Sequence, residues 1–280
     1  MSRRREPKRP RYLEPALFVN DGAWKVIAAS VQGTSHLKTD KPCQDASYSR
    51  ILPGSLLIGA VADGAGSARF SDEGAQIAVK RAVDTVADAV QLNVGTGASP
   101  DVPFTTDQWH EVLRAAMQVA LGHVELGAAL RGAKPRDFAA TLLLFAGLRD
   151  SLVAAQIGDG AIVIRDREGH LHAITTPQSG EYANTTTFLV SPGAFDSVQH
   201  RVWENAYTGV AAFTDGLQRL ALAMPSGDPH GPFFTPLFDF ADRAHDSGEA
   251  IDEIDAFLRS SKVAQRADDD LTLMVARKTS

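Results

Sequence analysis

The chain has 280 residues, 44% of them hydrophobic and 22% charged, with a formal net charge of −6. That is enough apolar material for one large domain or two small ones, and no apolar run approaches the length of a membrane-spanning helix. One cysteine, Cys43, excludes an internal disulfide and fits a reducing cytoplasm.

The N-terminus is basic and proline-containing: residues 1–11 carry six basic side chains against Glu6, a local net of +5 that leaves −11 on the remainder. Residues 1–20 read as a disordered tail able to touch an acidic partner, and they lack the apolar stretch of a secretory signal. The acidic body disfavours nucleic acid as a general partner. Residues 21–280 read as a single domain.

Trp24 to Ser30 reads as a strand, followed by a polar loop from Gly33 to Pro42 and a second strand, Leu56 to Ala62. Ser71 to about Val90 carries an apolar stripe at helical spacing, with Ser71 placed as N-cap before Asp72 and Glu73. Residues 93–106 are loop by composition, and a second helix runs from about Asp107 to Leu130. Strands are expected at Ala139 to Leu148, Leu152 to Ile157, Ala161 to Arg165 and His170 to Ile174, as a meander. Residues 175–205 are polar and too long for an ordinary connection, so they read as a functional flap. Val210 to Thr214 is another strand, 225–235 a Pro/Gly-rich loop, Ile251 to Ser260 a helix and Leu271 to Ala276 a closing strand. This order indicates α+β layers rather than a strict βαβ alternation.

Four strand-length apolar stretches meet an aspartate. Three run into Asp-Gly: Leu56-Leu-Ile-Gly-Ala-Val-Ala-Asp63-Gly64, Leu152-Val-Ala-Ala-Gln-Ile-Gly-Asp159-Gly160 and Val210-Ala-Ala-Phe-Thr-Asp215-Gly216. In the fourth, Asp268-Asp269-Asp270 leads into Leu271-Thr-Leu-Met-Val-Ala276. Asp-Gly is also ordinary turn chemistry. Four cases beside buried-type strands, however, place carboxylates where strand ends converge. Ionised carboxylates packed together repel unless a cation lies between them, and an all-oxygen set suits Mg²⁺ or Mn²⁺.

In this order the motifs resemble the metal-dependent serine/threonine protein phosphatases of type 2C (the PPM family), over roughly residues 24–277. Gln44-Asp45 stands at the family's early acidic pair and Asp63-Gly64 at its strand-Asp-Gly signature. Gly158-Asp159-Gly160 resembles its Gly-Asp-Ser, Thr214-Asp215-Gly216 its Thr-Asp-Gly, and Asp269-Asp270-Leu271-Thr272 its Asp-Asn-x-Thr. The segments Gly33 to Asp45 and Gly180 to Phe188 look most like a bacterial branch.

The resemblance implies a four-layer α-β-β-α sandwich of two mostly antiparallel sheets flanked by helices, with metals in a cleft at one end. It implies that Asp63 bridges two ions, Mg²⁺ or Mn²⁺, that the Gly64 carbonyl binds one, and that Asp215 and Asp269 bind the other. Asp45 is expected to act through a water, Asp137 to lie near a possible third ion, and Asp159 to be mainly structural. Two ions about 3.5–4 Å apart activate a water to attack phosphorus in line, so no cysteine or serine nucleophile is needed. The expected substrate is a phosphorylated protein, the product of a Ser/Thr kinase. Oligomeric state is not legible.

The chain departs from the family at three points. Ala65 follows Asp63-Gly64 where many members have a histidine, thought to protonate the leaving group; His36 is a candidate substitute. Asp40 stands where an arginine often binds phosphate, leaving Lys41 and Arg69 as candidates. Gln44 replaces a glutamate. These departures keep two alternatives open: a weak or inactive phosphatase-fold regulator that binds a phosphoprotein, and a metal-dependent phosphoesterase acting on a small molecule.

Overall fold

The computed structural model describes residues 16–178 and 186–279. In chain order the elements are β1 (Ala16–Asn20), β2 (Trp24–Val31), α1 (Thr34–Thr39), β3 (Ala46–Leu52), β4 (Leu56–Ala62), α2 (Ser71–Gly95) and α3 (Thr106–Leu130). They continue as β5 (Leu142–Gly147), β6 (Leu152–Ile157), β7 (Ala161–Asp166), β8 (Leu171–Thr175), β9 (Gln199–Trp203) and β10 (Tyr207–Phe213). The chain ends with α4 (Gln218–Ala221), β11 (Leu222–Ala223), β12 (Asp228–Pro229), α5 (Gly231–Arg243), α6 (Ser247–Leu258), α7 (Ser261–Ala264) and β13 (Leu271–Lys278).

Two antiparallel sheets form the middle of the molecule. One has the order β1-β2-β13-β10-β7-β8 and the other β3-β4-β5-β6-β9, while β11 and β12 pair separately. Side chains alternate across each strand, so each sheet has two apolar faces to bury. In β4, Leu57 and Val61 join Val26, Phe145, Ile162, Val210 and Met274 between the sheets. Ile58, Ala60 and Ala62 of the same strand point the other way, against Val79, Val83 and Val86 of α2 and Leu113 and Met117 of α3. Ile27, Ala29 and Val31 of β2 likewise meet Phe234 and Phe238 of α5 and Ile254 of α6. Burial on both faces is why these strands read as continuous apolar runs rather than alternating ones. The result is an α-β-β-α sandwich.

Several elements differ from the sequence expectation. Residues 16–20, expected in the tail, form β1 and pair with β2 from Ala16–Ala29 to Asn20–Lys25; residues 1–15 lie outside the described residues. The segment read as a polar loop contains α1, closed by Asp40 in a left-handed conformation (φ 55°). Ser71 is the first helical residue rather than the cap, and its Oγ donates back to the Ala68 carbonyl. β3 was not anticipated because Ala46-Ser-Tyr-Ser-Arg-Ile-Leu52 is half-exposed and polar for most of its length. The expected meander is divided: β5 and β6 belong to one sheet, β7 and β8 to the other. Part of the flap, residues 179–185, lies outside the described residues, and the rest contributes β9.

Candidate metal centre

Antiparallel pairing brings the ends of β4, β6 and β10 and the starts of β3 and β13 to one end of the sandwich. Asp63 follows β4, Asp159 follows β6, Asp215 follows β10, Asp45 precedes β3, and Asp269 and Asp270 precede β13. Carboxylate oxygens of Asp63, Asp159 and Asp215 all lie within 4.8 Å of one another. A second group, His36, Asp269 and Asp270, meets the same limit.

The backbone around the first group is fixed by short polar contacts. The Asp63 amide donates to Thr141 Oγ1 (2.9 Å), and the Thr141 amide donates to the Asp63 carbonyl (2.8 Å). Gly64 pairs with Ala140, and a Cβ at Gly64 would lie 2.5 Å from the Gln44 carbonyl oxygen, so only glycine allows this close approach. Asp45 is buried, and its Oδ2 accepts from Thr214 Oγ1 at 2.6 Å. Thr214 in turn accepts from the Thr272 amide at 3.0 Å, tying β10 to β13.

These carboxylates pay an electrostatic penalty. Burial first, then the charges of Asp45, Asp215 and Asp159, hold the Asp63 carboxyl well above the ordinary carboxylate range. Burial and the nearby Asp270 charge push Asp45 up strongly as well. Burial, with Asp159 and Asp269 beside it, raises Asp215 to about 7. Asp159 is raised mainly by burial, although Thr186 Oγ1 donates to its Oδ2 at 2.6 Å. Asp45 Oδ1, Asp159 Oδ1 and Gln44 Oε1 are buried with no hydrogen-bond partner among the described residues. Nor does any described lysine or arginine form an ion pair with Asp45, Asp63, Asp159 or Asp215. Crowded, oxygen-only carboxylates with orphaned acceptors and no described ion-pair partner fit hard divalent cations.

The second group is more tightly organised. Asp270 is buried; its Oδ1 accepts from the Gly33 amide (2.7 Å) and its Oδ2 from the Gln44 amide (2.6 Å). The same Oδ2 lies 2.8 Å from His36 Nδ1. His36 is thereby buried rather than a solvated loop residue, and its Nε2 faces Gly66, just past Ala65. Asp269 is exposed and accepts from the Asp270 amide at 2.9 Å.

The remaining sequence candidates fall around this centre. Lys41 Nζ donates to the Gly66 carbonyl at 2.8 Å. The exposed Arg69 lays its guanidinium 4.8 Å from the Phe70 ring centroid. Asp137, expected near a third ion, belongs to neither group: its Oδ2 accepts from the Lys134 amide at 2.9 Å within the short turn Pro135–Phe138. Asp159, read as mainly structural, does make hydrogen bonds with Thr186 and Gln218, and its carboxylate also lies in the group with Asp63 and Asp215. The signal was present in the sequence, since Asp159 carries the same strand-to-Asp-Gly pattern as the other two. Asp270 was overlooked because adjacent aspartates do not reveal which one turns inward.

Comparison with known proteins adds the family context. The family described as Protein phosphatase 2C matches residues 32–259. Serine/threonine-protein phosphatase 3 of Escherichia coli (strain K12) is 36% identical over 263 residues, covering 91% of this chain and 98% of that protein. Among solved structures, PppA, a key regulatory component of T6SS in Pseudomonas aeruginosa, superposes with a TM-score of 0.56 at 20% identity, over 91% of this chain and 98% of its own. Serine/threonine phosphatase Stp1 from Staphylococcus aureus gives 0.55 at 13% identity, over 96% and 98%. At these identities the two structures speak to the fold alone.

Proposed function

We propose, from the premise that this chain belongs to the protein phosphatase 2C family and is a metal-dependent serine/threonine protein phosphatase, that its centre is built on Asp63, Asp159 and Asp215. The observation that carries this reading is their convergence within 4.8 Å with no described lysine or arginine paired to them. Asp269, at the rim, and the Gly64 carbonyl complete the donor set, and Mg²⁺ or Mn²⁺ is the ion type that such oxygens suit. When bound, divalent cations lower the pKa of water and offset charge on phosphoryl oxygens.

The chain's own residues do the rest. Asp45, fixed through Oδ2 by Thr214, keeps Oδ1 to accept a proton from the attacking water. Gln44 Oε1, buried beside it, orients that water without adding charge. His36 Nδ1, tied to Asp270, leaves Nε2 to deliver a proton to the leaving oxygen in place of the histidine that Ala65 replaces. Lys41, bonded to the loop after Asp63, and Arg69, within that loop, receive the substrate phosphate. The substrate is a phosphorylated protein made by a Ser/Thr kinase, and a single cysteine is consistent with a cytoplasmic setting.

The test is phosphate release by chelator-stripped protein reloaded with Mg²⁺ or Mn²⁺. Phosphoserine and phosphothreonine peptides are compared with nucleotides and sugar phosphates. Turnover of the peptides alone is expected. Turnover of small molecules but not peptides would replace the reading with a small-molecule phosphoesterase, and metal binding without any turnover would replace it with a non-catalytic regulator.

A further inference from the structure

The loop after Asp63 is ringed by cations in a chain whose net charge is −6. Lys41 reaches it through the Gly66 carbonyl. Two guanidinium groups share the Phe70 ring at the end of this loop, Arg69 at 4.8 Å and Arg131 at 5.7 Å from its centroid. Lys134 and Arg136 belong to the neighbouring turn at Pro135–Phe138, Lys134 as its cap. Their turn is held to the loop by the Phe70 amide on the Asp137 carbonyl (2.7 Å) and the Ala65 amide on the Ala139 carbonyl (2.9 Å). The same ladder carries the Asp63–Thr141 pairing, so Arg69, Lys134, Arg136 and the carboxylate centre share one hydrogen-bonded strip of backbone.

The acids of this rim are already engaged. Glu73 is buried and accepts three bonds from the Arg131 guanidinium at 2.8–3.1 Å. The Asp137 carboxylate is taken by the Lys134 amide. Asp72 is buried and has a partner. Arg69, Lys134 and Arg136 are exposed and form no ion pair among the described residues. Exposed cations with no described ion-pair partner, even with Asp137 between two of them, attract anions, and that attraction favours particular partners and speeds their encounter.

We propose that Lys134 and Arg136, beside the phosphate-receiving Arg69, form a specificity rim that recognises aspartate and glutamate side chains flanking the substrate's phosphorylated residue. The inference rests on the phosphatase reading of the Asp63 centre and adds the sequence context of its substrate. Exposed charge pairs are individually weak, so the rim acts through several together and is sensitive to salt.

The experiment measures kcat/KM of the full chain with Mn²⁺ on three phosphothreonine peptides of one core sequence, flanked by acidic, neutral or basic residues. A Lys134→Gln/Arg136→Gln double variant is run beside it, with p-nitrophenyl phosphate, which has no flanking residues, as the control for folding and chemistry. The acid-flanked peptide is expected to be preferred about tenfold over the neutral one at low salt. The preference should collapse in the double variant and at high salt, while turnover of the aryl phosphate is unchanged. Equal use of the three peptides, or a preference that survives the double variant, would overturn the inference. Failure of the wild type on the aryl phosphate and on every peptide would instead overturn the phosphatase reading beneath it.

Discussion

Asp215 is where burial and the neighbouring Asp159 and Asp269 together raise a carboxyl to about 7. Its folded pKa thus exceeds the unfolded one, near the ordinary carboxylate range. Between about pH 4 and 7 the metal-free folded chain therefore binds more protons than the unfolded chain, and its stability falls as pH rises through that window. Asp45, Asp63 and Asp159 shift in the same direction. The metal-free thermal midpoint should drop between about pH 5.5 and pH 8, and Asp215→Asn should raise the midpoint at the alkaline end. A midpoint that rises with pH would refute this account of the cluster. His36 makes a second prediction at this scale. His36→Ala should lower kcat on phosphoserine by about 10²-fold and on p-nitrophenyl phosphate far less, because nitrophenolate leaves without a proton. Equal losses on both would assign His36 a structural part only. At this scale the sequence disclosed the aspartates through repeated strand-to-Asp-Gly spacing. It did not disclose which carboxylates turn toward one another, since that depends on contacts between segments far apart in the chain, such as Asp270 with Gly33 and Gln44.

At the scale of elements, the two long helices were legible because α2 and α3 keep apolar residues at helical spacing over 25 residues each. Thr105 and Gln108 close a reciprocal cap at the start of α3. α5 was not legible: residues 225–235 read as a Pro/Gly-rich loop, whereas the helix runs Gly231–Arg243 with both Pro232 and Pro236 in it. Pro232 sits in the first turn, where a missing N–H costs nothing, and burial of Phe233, Phe234, Leu237 and Phe238 outweighs the bond lost at Pro236. Phe238 is fully buried against Phe234 and beneath Arg165. Phe238→Ala should therefore cost about 3–5 kcal/mol in denaturant unfolding, and a loss below about 1 kcal/mol would mean that α5 contributes little to the core.

For the whole molecule, the α+β layering followed from the order of strands and helices, and the fuller sandwich from the resemblance to a known family. Composition could not assign strands to sheets, because β5–β6 and β7–β8 are similar apolar hairpins that join different sheets. The architecture also links the centre to global stability, since its carboxylates extend from both sheets. A cation that binds only the folded chain should stabilise it by about 2.7 kcal/mol at 100 times its Kd, read as a rise in thermal midpoint at pH 8 that is absent in Asp63→Asn. The most direct test of the central claim is hydrolysis of p-nitrophenyl phosphate by chelator-stripped wild type and Asp63→Asn, each titrated with Mn²⁺ while metal binding is followed by calorimetry. No turnover is expected without metal, with recovery in the wild type as metal binds and loss of turnover with weakened binding in the variant. Metal-independent turnover, or equal turnover by Asp63→Asn, would contradict it.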